Sequence, residues 1–466
     1  MSGPPRLAHA GVIAKMKART ELRETETDGE FPGPFQTQSY DDLLEFPDIP
    51  VSTIDTPSGK RAITEPLLDA IVVPTIRSAE NLRPAAQLAA QAGCHLIAVY
   101  TDAPPAGLSA GLAGLRRGQV TVLSVRRDTR DGLLDLGAAL PQIRVSPAAL
   151  DISRKRNLGL LIGRVCGWTR MLFLDDDIRR LSVAKLSSAA ALLDDYPVVG
   201  LQVRKYPDAS VVGHARRLTG RRQEPFVSGG SLLVDPQLLN GYFAPVYHED
   251  WLCVINHLRK GEVAIGGSVA QLPYLPFSAS KRAELEEFGE TLLSGLLWLV
   301  HTRISAGTTD YVRAMADTDY WQAAANQRFW EQILGQRAEL LANITVQLAE
   351  KDFDGLSPLP SLVAAKQRLG ELKPGDFVSF TERWLTSLVE WRDRLNGLSR
   401  VDVADKARAI DKALAKLGLA HIVQAHEVSS RKAPARRAGW IGGFAYRWSR
   451  WTGTDSRRRF GPVREE

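Results

Sequence analysis

Met171-Leu172-Phe173-Leu174-Asp175-Asp176-Asp177 is the stretch that decides how the chain is read. Four apolar residues run straight into three carboxylates, the pattern of a buried strand that delivers acids to the edge of a sheet. On an extended strand Asp175 and Asp177 project to one side and Asp176 to the other. Neighbouring carboxylates repel unless a cation lies between them, and hard divalent ions such as Mg²⁺ or Mn²⁺ take this kind of oxygen ligand. Asp175 and Asp177 are therefore the expected metal ligands. The competing expectation is a helix start with Asp175 or Asp176 as its N-cap.

Outward from this stretch, strands and helices alternate. Ile71-Val72-Val73 reads as a strand ended by Pro74-Thr75, Glu80 to Ala92 as a helix closed by Gly93, His95 to Tyr100 as a strand ended by Thr101-Asp102, and Val120 to Val125 as a third strand. This order predicts an α/β fold: a mainly parallel, Rossmann-like sheet with helices on both faces, whose ligands sit beyond the carboxyl ends of the strands. Asp151-Ile152-Ser153 is expected to open a helix with Leu158, Leu161, Ile162 and Val165 on its apolar face and Gly167 as its stop. Arg154-Lys155-Arg156-Asn157 then falls in the first turn, where cations oppose the helix dipole and an anionic ligand would offset them. A solvated basic face is the alternative.

Val198 to Val203 and Phe226 to Val234 read as further strands, with Gly229-Gly230 marking a bulge or a place where a ligand approaches the backbone. Tyr247-His248-Glu249-Asp250-Trp251 sets polar groups at the start of a helix running to Leu258, Val263 to Val269 adds a strand, and Pro273 and Pro276 close the unit. Long amphipathic patterns follow at Glu284 to Val300, Tyr320 to Leu348, Pro360 to Leu369 and Phe380 to Leu395. The expected division is an irregular extension over 1–66, an α/β domain over 67–278, a helical region over 279–425, and a basic, aromatic tail over 426–466.

The chain of 466 residues is 44% hydrophobic and 24% charged, with a formal charge of +6, ordinary for a globular protein. Its three cysteines, Cys94, Cys166 and Cys253, are widely spaced in apolar neighbourhoods and indicate neither a disulfide framework nor a thiolate zinc site. The longest apolar run, Leu292 to Val300, falls well short of the ~20 residues needed to cross a bilayer, and the N-terminus lacks a signal-peptide pattern. A cytoplasmic location is expected. The arginines and tryptophans after Ser429 suit contact with the inner face of a membrane or another polyanion, or folding back onto the chain.

Taken together these pieces resemble the GT-A glycosyltransferases, most of all the large inverting family 2 of nucleotide-sugar transferases. The resemblance runs from about Ala70 to about Pro276 and rests on Ile71-Val72-Val73-Pro74-Thr75, Asp102, Ser153-Arg154-Lys155-Arg156-Asn157-Leu158-Gly159, Phe173-Leu174-Asp175-Asp176-Asp177, Gly229-Gly230 and Glu249-Asp250. It implies that Pro74 and Thr75 line a nucleotide, that Asp102 bonds the base, and that Arg156 sits near uridine or diphosphate. It further implies that Asp175 contacts ribose or metal, that Asp177 holds Mn²⁺ or Mg²⁺ on the diphosphate, and that Asp250, or failing it Glu249, is the general base for an acceptor hydroxyl. The implied nucleotide-sugar site also takes in Arg77, Asn157, Asp176, Gly229 and Gly230, with His248 as a further metal ligand or an ordinary hydrogen-bonded histidine.

Three departures qualify the resemblance: Arg77 stands where the family commonly has Asn, the Gln-Xaa-Xaa-Arg-Trp element of processive synthases does not follow Trp251, and long transmembrane helices are missing, which argues against a polymer-extruding synthase. Pro74-Thr75-Ile76-Arg77 with three later aspartates is also similar to the reversibly glycosylated polypeptide family, which includes UDP-arabinose mutases. The expected activity is metal-dependent transfer from a UDP- or GDP-sugar to a hydroxyl, with inversion if the base acts directly. A sugar-nucleotide mutase, a self-glycosylating protein and a non-catalytic scaffold are the alternatives. A nucleotidyltransferase is disfavoured because the loop after the first strand has no glycine.

Overall fold

The computed structural model describes residues 67–426 apart from 117, 137–143, 145, 206–209, 221–226, 306–316 and 354. The N-terminal extension and the basic tail lie outside the described residues. Among the described residues the apolar runs form strands whose residues are buried on both faces: β1 (Ala70–Pro74), β2 (His95–Thr101), β3 (Val120–Val125) and β4 (Met171–Leu174). They pair in parallel as β4-β1-β2-β3, as continuous apolar strands do when helices cover both sides.

Beyond this centre the sheet departs from the expected mainly parallel arrangement. Among the described residues it has nine strands in the order β5-β8-β6-β7-β4-β1-β2-β3-β9 and is mixed. The added strands are β5 (Ile178–Arg179), β6 (Val198–Lys205), β7 (Ser231–Val234), β8 (Val263–Gln271) and β9 (Val423–His426). β7 runs antiparallel to both β4 and β6, β5 to β8, and β9 to β3, whereas β6 and β8 are parallel. The reversal of β7 has a consequence for the site. Its first residue, Ser231, pairs with the last residue of β4, Leu174, so Gly229-Gly230 arrives at the edge where the aspartates leave.

Helices cover both faces. α1 (Arg83–Ala92) and α4 (Val183–Ala191) pack on the face lined by Ile71, Val73, Leu172 and Leu233. The opposite face, lined by Val72, Phe173 and Leu232, carries α3 (Pro147–Val165) and α6 (Glu249–Arg259). The same core continues without a break into α7 (Ser280–Ser305), α9 (Gln327–Leu348), α10 (Leu359–Glu371) and α11 (Pro374–Gly397). Short helices α2 (Leu108–Gly111), α5 (Val211–Leu218), α8 (Asp317–Ala324) and α12 (Lys406–Lys416) complete the described chain. Stacking of Trp330 on Phe377, 4.7 Å between centroids, anchors α9 to α11 through two large buried rings.

Several boundaries differ from expectation. Ser146 caps α3 and Pro147 occupies its first turn, so the helix begins before Asp151 and Arg154 to Asn157 lie two turns inside it. The cations therefore do not face the helix dipole; they are buried against the sheet. The expected helix over Tyr320 to Leu348 is two, because Asn326 accepts from the amides of Arg328 and Phe329 and starts α9 afresh. α7 is buried all round from Glu286 to Val300 rather than on one stripe, as befits a helix with neighbours on every side. Among the described residues no helix is long and apolar enough to cross a membrane.

Candidate active site

Parallel strands β1 and β4 deliver their carboxyl ends side by side, and the chain order turns there: β2 and β3 lie beyond β1 on one side, β4 on the other. Such a switch point opens a crevice at the sheet edge. The strand stops at Leu174, and the Ile178 amide reaches the Asp175 carbonyl at 3.2 Å, so the three aspartates occupy a tight turn. The strand alternation expected of Asp175 and Asp177 does not apply. Asp176 and Asp177 instead share one partner, Arg77, at 3.0 and 3.1 Å, while Asp175 pairs with Arg156 at 3.0 Å.

Thr75 stitches this turn to β1. Its hydroxyl donates to Asp176 and accepts from the Arg77 amide at 3.0 Å, and its carbonyl accepts from Lys155 Nζ at 3.0 Å. Lys155, almost wholly buried, also pairs with Asp151 at 2.6 Å. Asp151 in turn accepts from the Thr101 hydroxyl at 2.5 Å, tying α3 to the ends of both β1 and β2. The i, i+4 spacing of Asp151 and Lys155 is the one sequence signal of this pair, and no motif marks it as part of a site.

Arg156 is the hub of the other half. It is 3% exposed, pairs with Asp175 and Glu249, and stands over the Phe243 ring with its guanidinium carbon 5.6 Å from the centroid. Burial opposes its charge, but Asp175, Glu249 and Asp250 hold it protonated. Asp250, in the first turn of α6, accepts from the Gly229 amide at 2.6 Å and from the Trp251 amide at 2.8 Å. The glycines are steric requirements: a Cβ at Gly229 would lie 2.3 Å from Arg156 Nη1, and one at Gly230 would lie 2.8 Å from Asp175 Oδ2. The close approach expected at this pair is thus made by the site's own side chains.

Six carboxylates, Asp151, Asp175, Asp176, Asp177, Glu249 and Asp250, therefore gather with three cations, Arg77, Lys155 and Arg156. Burial pushes Asp176 up to about 6 against the charge of Arg77, and burial also raises Asp175 against Arg156. Tyr100, near the end of β2, has a buried hydroxyl with no hydrogen-bond partner among the described residues, and burial together with the charge of Asp176 raises its pKa. Nothing in the sequence set this tyrosine apart from the core residues of its strand.

Three other expected residues are placed elsewhere. Asn157 is fully buried and clamps the Phe243 backbone, donating to its carbonyl at 2.9 Å and accepting from its amide at 2.8 Å. Asp102 sits at the end of β2 with a left-handed φ of 56°, and its carboxylate accepts from the Arg127 amide at 3.0 Å. His248 turns Nε2 toward Glu290 of α7, 3.5 Å away. Pro74 ends β1, as expected.

Comparison with protein-family models and with curated proteins found no match. The fold is an α/β architecture with a mixed sheet, compatible with a Rossmann-like arrangement.

A divalent cation suits the donors present. Among the described residues no three His, Cys, Asp or Glu side chains converge on one point. Mg²⁺ does not need such a cage, since it is commonly held by one or two carboxylates, substrate phosphates and water. Asp177 offers a buried Oδ1 with no hydrogen-bond partner among the described residues, beside further acids that two guanidinium groups do not neutralise. An unpaired buried carboxylate oxygen is costly unless a proton or a cation answers it.

Proposed function

We propose that the chain is a metal-dependent glycosyltransferase that moves a sugar from a nucleoside-diphosphate sugar to an acceptor hydroxyl. The observation that carries this reading is the convergence of acids from β4 and α6 on Arg156, at the crevice between β1 and β4. Asp177, with Asp175, would hold Mn²⁺ or Mg²⁺, which when bound would neutralise charge on the departing diphosphate. Arg77 lies about one-third exposed beside Asp176 and Asp177 and can turn to phosphate oxygens as a fork-shaped donor. Thr75, bonded to Asp176, would lie on the nucleotide side.

Asp250 carries the acceptor side of the reading. Two backbone amides hold its carboxylate in one orientation, and each oxygen keeps a lone pair with which to accept a proton from an attacking hydroxyl. Glu249 is occupied by Arg156, which favours Asp250 over Glu249 as the base. Inversion at the anomeric carbon follows if Asp250 acts directly on the attacking hydroxyl.

One observation favours a second reading, a sugar-nucleotide mutase. The two patches that carry that similarity, Pro74 to Arg77 and Asp175 to Asp177, are joined through Arg77 and Thr75. The experiment is turnover of a panel of UDP- and GDP-sugars with Mn²⁺, with products separated as free sugar, transferred sugar or isomerised sugar nucleotide. Asp177→Ala should abolish turnover and Mn²⁺-dependent nucleotide binding, whereas Asp250→Asn should retain binding and lose transfer. Equal loss of binding in both variants would overturn this division of roles, and an isomerised sugar nucleotide as sole product would favour the mutase.

A further inference from the structure

A chain of buried charges that the proposed reaction does not use runs from the helical layer to the acids of α6. Arg337 on α9 is 3% exposed, and its partners on α7 are buried as deeply, Glu287 at 0% and Glu290 at 5%. Arg337 donates Nε and Nη2 to the two oxygens of Glu287 at 2.7 and 2.9 Å, and its Nη1 lies 3.7 Å from Glu290. Glu290 then faces Nε2 of His248 at 3.5 Å and takes a hydrogen bond from Ser210, the cap of α5. Burial works against the charge on Glu290, yet the hydrogen bond from His248 and the charge of Arg337 hold it down to about 2. Burial likewise opposes the charge on His248, and Glu290 holds its pKa above the ordinary value.

His248 is the residue through which this chain can act. It caps α6 with a φ of 70°, a left-handed conformation that is strained for a residue other than glycine. Its side chain makes no capping hydrogen bond to the first turn, the usual return for a polar N-cap, because the ring is directed to Glu290. The preceding residue is pressed onto α7 at Gly289, where a Cβ would come within 2.2 Å of the Tyr247 carbonyl oxygen. A left-handed turn held at one end by Gly289 and at the side chain by Glu290 leads straight into Glu249 and Asp250.

Apolar side chains of similar volume would join α7 and α9 without the cost of desolvating three charges, so cohesion of the helices gives no reason for them. We propose that Arg337, Glu287 and Glu290 are positioning residues which, through His248, fix the turn that aims Glu249 at Arg156 and Asp250 at the Gly229 amide. The inference deepens the glycosyl-transfer reading and rests on it for what Asp250 does, but the geometry it asserts is measurable without turnover.

The test uses the full chain with ¹⁵N-labelled glycine. The Gly229 amide, hydrogen-bonded to Asp250, is assigned by its displacement in Asp250→Asn. Glu290→Gln and His248→Gly should each move that resonance in the same direction as Asp250→Asn does, and glycine at 248 keeps the left-handed turn accessible, so the second variant separates loss of the ring from loss of the fold. With a sugar nucleotide that the native chain turns over, kcat should fall at least about tenfold while KM stays within about twofold, the signature of an interaction made at the reacting centre only. A Gly229 resonance unchanged in a folded variant, with lowered melting temperature alone, would overturn the relay. If Glu290→Gln does not fold, His248→Gly decides. If the native chain turns over no sugar nucleotide, it is the glycosyl-transfer reading that fails, and the resonance still decides the relay.

Discussion

Arg156 shows most directly how one side chain can both build this site and hold it together. It lies between Asp175 and Glu249 with almost no exposure of its own, so removing it leaves two partly buried carboxylates without their counter-charge. Breaking a buried pair from one side costs about 3 kcal/mol or more, whereas removing all the charges together costs far less. Arg156→Met should therefore lower stability by about 3 kcal/mol in urea unfolding. Adding Asp175→Asn and Glu249→Gln should restore part of that loss, and no recovery would mean that the acids are not what Arg156 stabilises. The carboxylate stretch and the glycine pair were legible in the sequence, because acids after an apolar run have few structural explanations. The partner of each acid was not. Nothing local says that Asp176 and Asp177 share Arg77, a contact a hundred positions away in sequence.

At the scale of elements, the central strands bury polar groups that titrate. His95 opens β2 and shares a hydrogen bond at 2.9 Å with Thr121 of β3. Burial, helped by the charge of Lys406, lowers its pKa from 6.5 to about 4. The folded form thus prefers neutral imidazole, and its contribution is whole above pH 6.5 and lost as pH falls through 4. The shift corresponds to about 3 kcal/mol. His95→Gln, which cannot take up the proton, should show a smaller loss of stability between pH 7 and pH 4 than the native chain. Equal losses would place the acid sensitivity elsewhere. Periodicity located nearly every strand of the sheet's centre, because runs buried on both faces are apolar throughout. It does not show β9 and β5, which are too short to carry a pattern, and it places the start of α3 late, since Ser146-Pro147 starts the helix ahead of its apolar face.

At the scale of the molecule, the division at residue 278 separates two patterns in sequence but not two cores. Leu292 and Leu296 of α7 and Trp330 of α9 belong to the same buried cluster as Val72 of β1 and Phe173 of β4, and β9 closes the edge beyond β3 with Val423 opposite Val125. A chain cut after residue 278 would expose that face and leave the edge of β3 unpaired. Such a fragment should unfold without a cooperative transition and bind a hydrophobic dye, as an uncovered apolar face and an open strand edge do. A sharp thermal transition like that of the full chain would show instead that residues up to 278 form a self-sufficient unit.

By itself the sequence determined the alternation of strands and helices, the apolar centre of the sheet and the place where acids emerge from it, since these depend on period and composition within a few residues of one another. Tertiary structure alone decided that the sheet is mixed, that β7 returns to set Gly229-Gly230 beside Asp175, and that helices from the second half of the chain reach His248. Those outcomes depend on which distant surfaces meet, and pairing between segments so far apart leaves no mark in the local order of residues.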